Sequence, residues 1–117
     1  MDNRSVFCDT KSLNSVDIKD MKSIQKIKVF LYEKGFKAYN HADPVVCAAV
    51  SALSINTVNS VEALTDAKFT CEHDEDGFLK FSLECEDEKA MLLLESFKLG
   101  IRSIKENYPK HIQIEEE

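Results

Sequence analysis

Hydrophobic and polar positions alternate from Lys26 to Glu33, with Ile27, Val29 and Leu31 on one side of the pattern. An apolar period of two is typical of a strand that buries one face and exposes the other. The pattern therefore predicts a strand over this segment, and we expect the strand to end at Gly35.

A helical period follows. Asp43 is a good N-cap residue, and Pro44 is suited to the first helical position because it has no N–H group to leave unsatisfied. The apolar residues then recur at helical spacing: Val46, Val50, Leu53, Val61 and Leu64. The pattern predicts a helix to about Thr65, whose other face is small and polar at Ser51 and Ser54 and so permits close backbone approach.

The next segment has the pattern of a β-hairpin. If the apolar faces of its two strands coincide, His73 pairs with Leu79 and Cys71 pairs with Phe81. This register leaves Glu75–Gly77 as the loop, with glycine at the position that requires a left-handed conformation.

A second helix is predicted from Asp87, and Pro109 ends it. Its apolar stripe consists of Ala90, Leu93, Leu94, Phe97, Ile101, Ile104 and Tyr108. Leu92 and Leu99 widen this stripe beyond what one sheet can cover, which is typical of an interface. Ile112 and Ile114 fit a last short strand.

The element order predicts an α/β (α+β) fold of two layers. Residues 5–10 fit a short strand, and residues 11–25 fit a loop or one weak helix. The order β-β-α-β-β-α then gives an antiparallel sheet with both helices on one face. We interpret residues 1–25 as an N-terminal extension and residues 26–117 as a single domain.

Composition narrows the class of partner. The chain has 117 residues and a formal net charge of −6, which argues against direct binding of nucleic acid. No apolar run has the length of a membrane-spanning helix, and no secretory signal opens the sequence, so we expect no membrane partner. The four cysteines, Cys8, Cys47, Cys71 and Cys85, form no CxxC pair, which indicates a reduced, cytoplasmic protein.

Cys47 is the first candidate for chemistry, because it lies in the first turn of the first helix. Unsatisfied N–H groups and the helix dipole favour an anion there, lower the pKa of a thiol and make it nucleophilic. His41, in the loop that enters the helix, can fold back as a general base. The alternatives are a core cysteine and a solvated histidine.

Cys71, His73 and Cys85 are the obvious candidates for a metal site. The hairpin register places Ala67 opposite Cys85, far from His73, and no pair of ligands has zinc-finger spacing. We therefore predict no metal site and no cofactor.

Two stretches together resemble one family. Val45–Leu53 reads VVCAAVSAL, and Lys89–Pro109 contains LLLE, LG, SI and YP in order. Both resemble the helices of the ribosomal-processing cysteine proteases (Prp). The resemblance implies a homodimeric cysteine endopeptidase of the bacterial cytoplasm, which trims the N-terminal extension of a large-subunit ribosomal protein precursor, and it places Cys47 on the nucleophile.

The family histidine is harder to locate. The family has it in a Gly-His-Ala run at the end of the second strand. Gly35 stands near that place but is followed by Phe36, which cannot accept a proton. Asn40-His41-Ala42 imitates the run, provided that the following loop is shortened. The resemblance thus leaves two hypotheses: a peptidase with Cys47 as nucleophile and His41 as base, or a catalytically impaired homologue that only binds a ribosomal protein or acts as a dimeric interaction module.

Overall fold

The computed structural model describes residues 26–74 and 77–117, so the predictions for residues 1–25 lie outside the described residues. The elements in chain order are β1 (Ile27–Tyr32), β2 (Gly35–Tyr39), α1 (Pro44–Leu64), β3 (Phe69–His73), β4 (Leu79–Leu83), α2 (Glu88–Asn107) and β5 (Ile112–Glu116). The predicted class is confirmed: the described strands form one sheet, and the helices pack on one of its faces.

The sheet has the strand order β3-β4-β2-β1-β5 and is mixed, where the sequence predicted an antiparallel sheet. Neighbouring strands are antiparallel at every junction except β1–β5, which is parallel. The physical reason is the connection through α2. Helix α2 follows β4 and returns the chain to the edge of the sheet at which β1 begins. β5 therefore runs beside β1 in the same direction, as a crossover connection between parallel strands requires.

β2 is the strand that the sequence pattern does not predict. The chain turns at Glu33 and Lys34 and re-enters the sheet at Gly35, which begins the second strand rather than ending the first. A Cβ atom at Gly35 would overlap the backbone carbonyl oxygen of Phe81. Glycine is therefore required here by the close approach of β4, and the residue does not mark a stop.

Both helices begin where the sequence predicts. The Asp43 carboxylate accepts a hydrogen bond from the Val45 N–H at 2.9 Å, and Asp87 caps α2 in the same way through the Ala90 N–H. Such a cap satisfies one of the N–H groups that a helix leaves unpaired at its start. The starts of the helices thus follow from short-range chemistry.

The hairpin is also confirmed. Cys71 pairs with Phe81 and His73 with Leu79, as the coincidence of apolar faces requires. Gly77 has φ 88°, the left-handed conformation that the loop demands.

An aromatic cluster fills the space between the sheet and α2. The ring of Phe36 stacks on Phe97 with centroids 3.9 Å apart and lies 5.5 Å from the ring of Phe81. All three side chains are fully buried. Burying such rings contributes a large share of the stability of a small domain, so this cluster fixes α2 against the sheet.

The sequence expectation for membrane spans needs one correction. By length and composition alone, α1 is apolar enough to cross a membrane. Part of this helix faces the core, because its residues Val46, Val50 and Val61 are fully buried.

Candidate active site

The connection from β2 to α1 positions the first of the two candidate residues. Asn40 directly follows β2 and has φ 73°, a left-handed conformation that asparagine adopts more readily than most residues. At the other end of this short loop, Ala42 is buried and Asp43 caps α1. His41 lies between Asn40 and Ala42, next to the helix start.

The structure brings His41 and Cys47 together. The His41 Nδ1 atom lies 3.9 Å from the Cys47 Sγ atom, and the pair is partly buried. A nitrogen–sulfur distance of this size is at the outer limit of a hydrogen bond, and free enzymes often show catalytic contacts longer than those of the substrate complex. The arrangement is that of a thiol with an imidazole able to take its proton.

The thiol itself is 1% exposed. Its backbone N–H donates to the Asp43 carbonyl at 2.9 Å, so Cys47 sits in the first hydrogen-bonded turn of α1. A reagent or peptide can reach the sulfur only if neighbouring side chains or the loop carrying His41 give way. Any reaction at this thiol therefore requires a local opening that admits the reagent or peptide.

The helix start is less open to an anion than the sequence suggests. Asp43 engages two of the first-turn N–H groups, that of Val45 through its carboxylate and that of Cys47 through its carbonyl. Its negative charge also offsets the positive end of the helix dipole. The field of the helix start therefore favours an anion less than the sequence suggests.

Phe36, which stands near the place that the resemblance gives to the family histidine, belongs to the core. It is the second residue of β2 and points into the aromatic cluster. The residues that follow the end of β2 are Asn40, His41 and Ala42. His41 therefore directly follows the strand that leads into α1, with Asn40 as the left-handed residue before it.

Two serines lie on the small polar face predicted for α1. Ser51 and Ser54 are both buried there, on the side of the helix that carries Cys47. Within the described residues, neither hydroxyl group has a hydrogen-bond partner. The helical spacing of four and seven residues after Cys47 was the sequence signal that could have placed them on this face.

The remaining cysteines have other surroundings. Burial, and to a lesser degree the charge of Glu72, raise the pKa of the Cys71 thiol above its ordinary value. Cys85 is exposed beyond the end of β4, and His73 is exposed at the hairpin end of β3. In the two described stretches of chain, no three His, Cys, Asp or Glu side chains are grouped so that they could hold a metal ion.

A thiol and an imidazole at the start of a core helix are the constituents of a cysteine peptidase site, and comparison with known proteins gives the family. The sequence model of the cysteine protease Prp family matches residues 27–113, and the chain belongs to this family. The ribosomal processing cysteine protease Prp of Staphylococcus aureus is 28% identical over 78 residues, which cover 65% of this chain and 72% of that protein.

Solved structures agree in fold. A crystal structure of a Streptococcus mutans protein superposes with a TM-score of 0.72 at 30% identity, over 79% of this chain and 94% of that one. The S. aureus ribosomal processing protease Prp, solved with a covalently linked product peptide, superposes with a TM-score of 0.70 at 21% identity, over 80% of this chain and 99% of that one. At that identity, the second likeness shows the fold alone.

Proposed function

We propose that this protein is a cysteine endopeptidase that trims the N-terminal extension of a large-subunit ribosomal protein precursor. Cys47 is the nucleophile and His41 is the general base. The observation that carries the proposal is the 3.9 Å approach of the His41 Nδ1 atom to the Cys47 sulfur at the start of α1. The names of the S. aureus relatives, which include ribosomal processing, support the substrate class.

The proposed reaction follows from the pair. His41 takes the thiol proton of Cys47, and the sulfur attacks the scissile carbonyl carbon while the oxyanion forms in the field of the helix start. The C–N bond breaks, and the leaving amine receives the proton from His41. Water then adds to the thioester with His41 as base, which releases the extension peptide as a carboxylic acid and regenerates the thiol.

A homologue that only binds a ribosomal protein is the second candidate. The burial of the Cys47 sulfur favours it, because a thiol that is 1% exposed meets a peptide bond only after a local opening. In that case Cys47 is a core cysteine and His41 contributes nothing to turnover.

We also propose that the protein acts as a cytoplasmic homodimer. Leu92 and Leu99 on α2 are 70% and 64% exposed, and such apolar surface usually marks an interface. Sedimentation at tens of micromolar should then give a dimer, and substitution of both leucines by glutamine should give a monomer.

The test of the peptidase proposal is cleavage of a synthetic peptide that spans the junction between the extension and the mature ribosomal protein of the source organism. Mass spectrometry should find one cleavage with the native chain and none with Cys47→Ala. His41→Ala should lower the rate by about 10²- to 10⁴-fold, the usual contribution of a general base.

Cys85→Ala and His73→Ala are matched controls, because they remove the same chemical groups at exposed positions away from the site. Both should cleave at the native rate. Binding of the peptide without cleavage by any variant, the native chain included, would support the binding-only homologue and contradict the peptidase.

A further inference from the structure

The face of the sheet that points away from the helices has its own chemistry. Along β1, Ile27, Val29 and Leu31 point into the core, so Lys28, Phe30 and Tyr32 point to the opposite side. In the same way, β2 presents Lys37 and Tyr39, and β4 presents Lys80. We call these six residues the outer platform: Lys28, Phe30, Tyr32, Lys37, Tyr39 and Lys80.

The strand register brings the basic residues of the outer platform together. Lys37 pairs directly with Lys80 across β2 and β4, and on its other side it pairs with Phe30 of β1. Like charges placed directly opposite each other destabilise a sheet. The two adjoining lysines therefore form a local positive site at the centre of this face.

In the described part of the chain none of the three lysines forms an ion pair, although Glu72 lies directly opposite Lys80. The ion pairs found there, Lys98–Glu95 and Arg102–Glu116, lie elsewhere. Along the same row of the sheet, Glu72 and Glu115 border the outer platform at its two edges without forming an ion pair with it. The centre of the sheet thus carries positive charge in a protein whose net charge is −6.

The aromatic residues form a flat surface beside these charges. The rings of Phe30 and Tyr39 are nearly parallel, with an interplanar angle of 7° and centroids 5.9 Å apart. The Lys37 Nζ atom lies 4.7 Å from the Phe30 centroid and 5.8 Å from that of Tyr39. A cation is therefore held over π faces at the middle of an open sheet.

We propose that the outer platform binds single-stranded RNA. Sheets that bind single strands combine partly exposed aromatic rings, on which bases stack, with lysine or arginine groups that contact the phosphates. Here the Lys37 ammonium moves from the rings of Phe30 and Tyr39 to a phosphate, the rings receive bases, and Lys28 and Lys80 contact the backbone. Net charge alone argued against nucleic acid, but it does not describe the centre of this face, where Lys37 and Lys80 adjoin each other.

Single-stranded RNA fits the outer platform better than two other anionic partners. A duplex hides its base faces in the helix, so it could use the lysines but not the rings. An acidic peptide would pair with the lysines and would gain nothing specific from two parallel rings. The proposal is independent of the peptidase chemistry, because none of the six residues belongs to the Cys47–His41 pair.

Binding can be measured with the full chain and a fluorescein-labelled oligouridylate of about twelve nucleotides, within the site size of such surfaces. Fluorescence anisotropy at low salt should show saturable binding that weakens as salt is added. The slope of log K against log salt concentration should be about −0.7 for each phosphate neutralised. Because the chain contains no tryptophan, quenching of tyrosine fluorescence on binding should report the stacking directly.

Variants separate the two contributions. Phe30→Leu and Tyr39→Leu keep an apolar side chain but remove the π face, and each should weaken binding by roughly 5- to 100-fold, as expected for one stacked base. Lys37→Gln should weaken binding and make the slope of log K against log salt concentration less steep by about 0.7. Lys89→Gln and Tyr108→Leu, both exposed on α2 or at its end, are the matched controls and should bind like the native chain.

Cys47→Ala should bind the oligonucleotide with unchanged affinity, so failure of the peptidase proposal and failure of this one can be told apart. Absence of binding at low salt, equal binding of duplex RNA or polyglutamate, or equal loss in the control variants would each overturn the proposal.

Discussion

The two ends of β2 differ in their surroundings and in their chemistry. At its start, Gly35 lies against the backbone of β4 and Phe36 is stacked on Phe97 in the core. At its end, Asn40 turns the chain through a left-handed conformation and His41 meets the Cys47 sulfur. One end therefore serves packing, and the other carries the candidate site.

This difference bears on the choice of the proposed base. Counting back from Cys47 by the spacing that the resemblance implies leads to Gly35 and Phe36. Position relative to the end of the strand leads instead to His41. A strand end is a fixed point of the fold, whereas the length of a loop is free to change.

The largest expected effect is a loss of stability when the packing at the start of β2 is disrupted. Phe36→Ala should lower the free energy of unfolding by about 3–5 kcal/mol, because it removes a fully buried ring and leaves a cavity against Phe97 and Phe81. Chemical denaturation of the purified variant measures this loss.

Phe36→Leu is the matched control and should cost less, since it keeps most of the apolar contacts. To test the comparison directly, Phe36→His can be combined with His41→Ala. A histidine at the start of β2 should not restore peptide cleavage. Restored cleavage would show that a histidine at the start of β2 can act on Cys47.

Several elements could be predicted because their signals are local. Asp43 and Pro44 mark the start of α1, and the Asp87 cap and Pro109 bound α2. The hairpin register follows from the coincidence of its apolar faces. Each of these features depends on interactions within a few residues of chain, which the sequence displays directly.

Other features depend on distant parts of the chain. The turn at Glu33 and Lys34 lacks the glycine or asparagine that usually marks a two-residue hairpin, so β2 gave no turn signal. The role of Gly35 is set by the carbonyl of Phe81 in another strand. The parallel pairing of β5 depends on the path of α2, and the approach of His41 to Cys47 depends on a loop conformation that spacing alone does not fix.

The next effect concerns the loop between β2 and α1, which carries His41. Asn40→Val places a β-branched residue in a left-handed conformation and should cost about 1–3 kcal/mol of stability, or displace His41 if the loop rearranges instead. Peptide cleavage should fall in parallel. Asn40→Gly accepts the same conformation without strain and should keep both stability and cleavage, so loss of both in the glycine variant would contradict this account of the loop.

A smaller effect concerns the reactivity of the two described thiols outside the candidate site, Cys71 and Cys85. Burial and Glu72 raise the pKa of Cys71, so less thiolate is present at a given pH than at an ordinary thiol. Iodoacetamide near pH 8 should therefore label exposed Cys85 before Cys71, and labelling of Cys71 should accelerate as the pH rises further. Mass spectrometry of the labelled peptides gives the order, and faster labelling of Cys71 would contradict the assignment of its surroundings.

The most direct test of the proposed pair is the rate at which iodoacetamide labels Cys47 as a function of pH. The native chain should label at Cys47 below pH 8 and ahead of Cys71 and Cys85, because the proposed pair places an imidazolium cation beside the thiolate. His41→Ala should slow this labelling by about tenfold or more, the factor that corresponds to one pH unit of acidity, while the stability of the fold stays nearly unchanged. His73→Ala should leave the rate as it is. Equal labelling of Cys47 in the native chain and in His41→Ala would contradict the central claim that the histidine at the end of β2 activates this thiol.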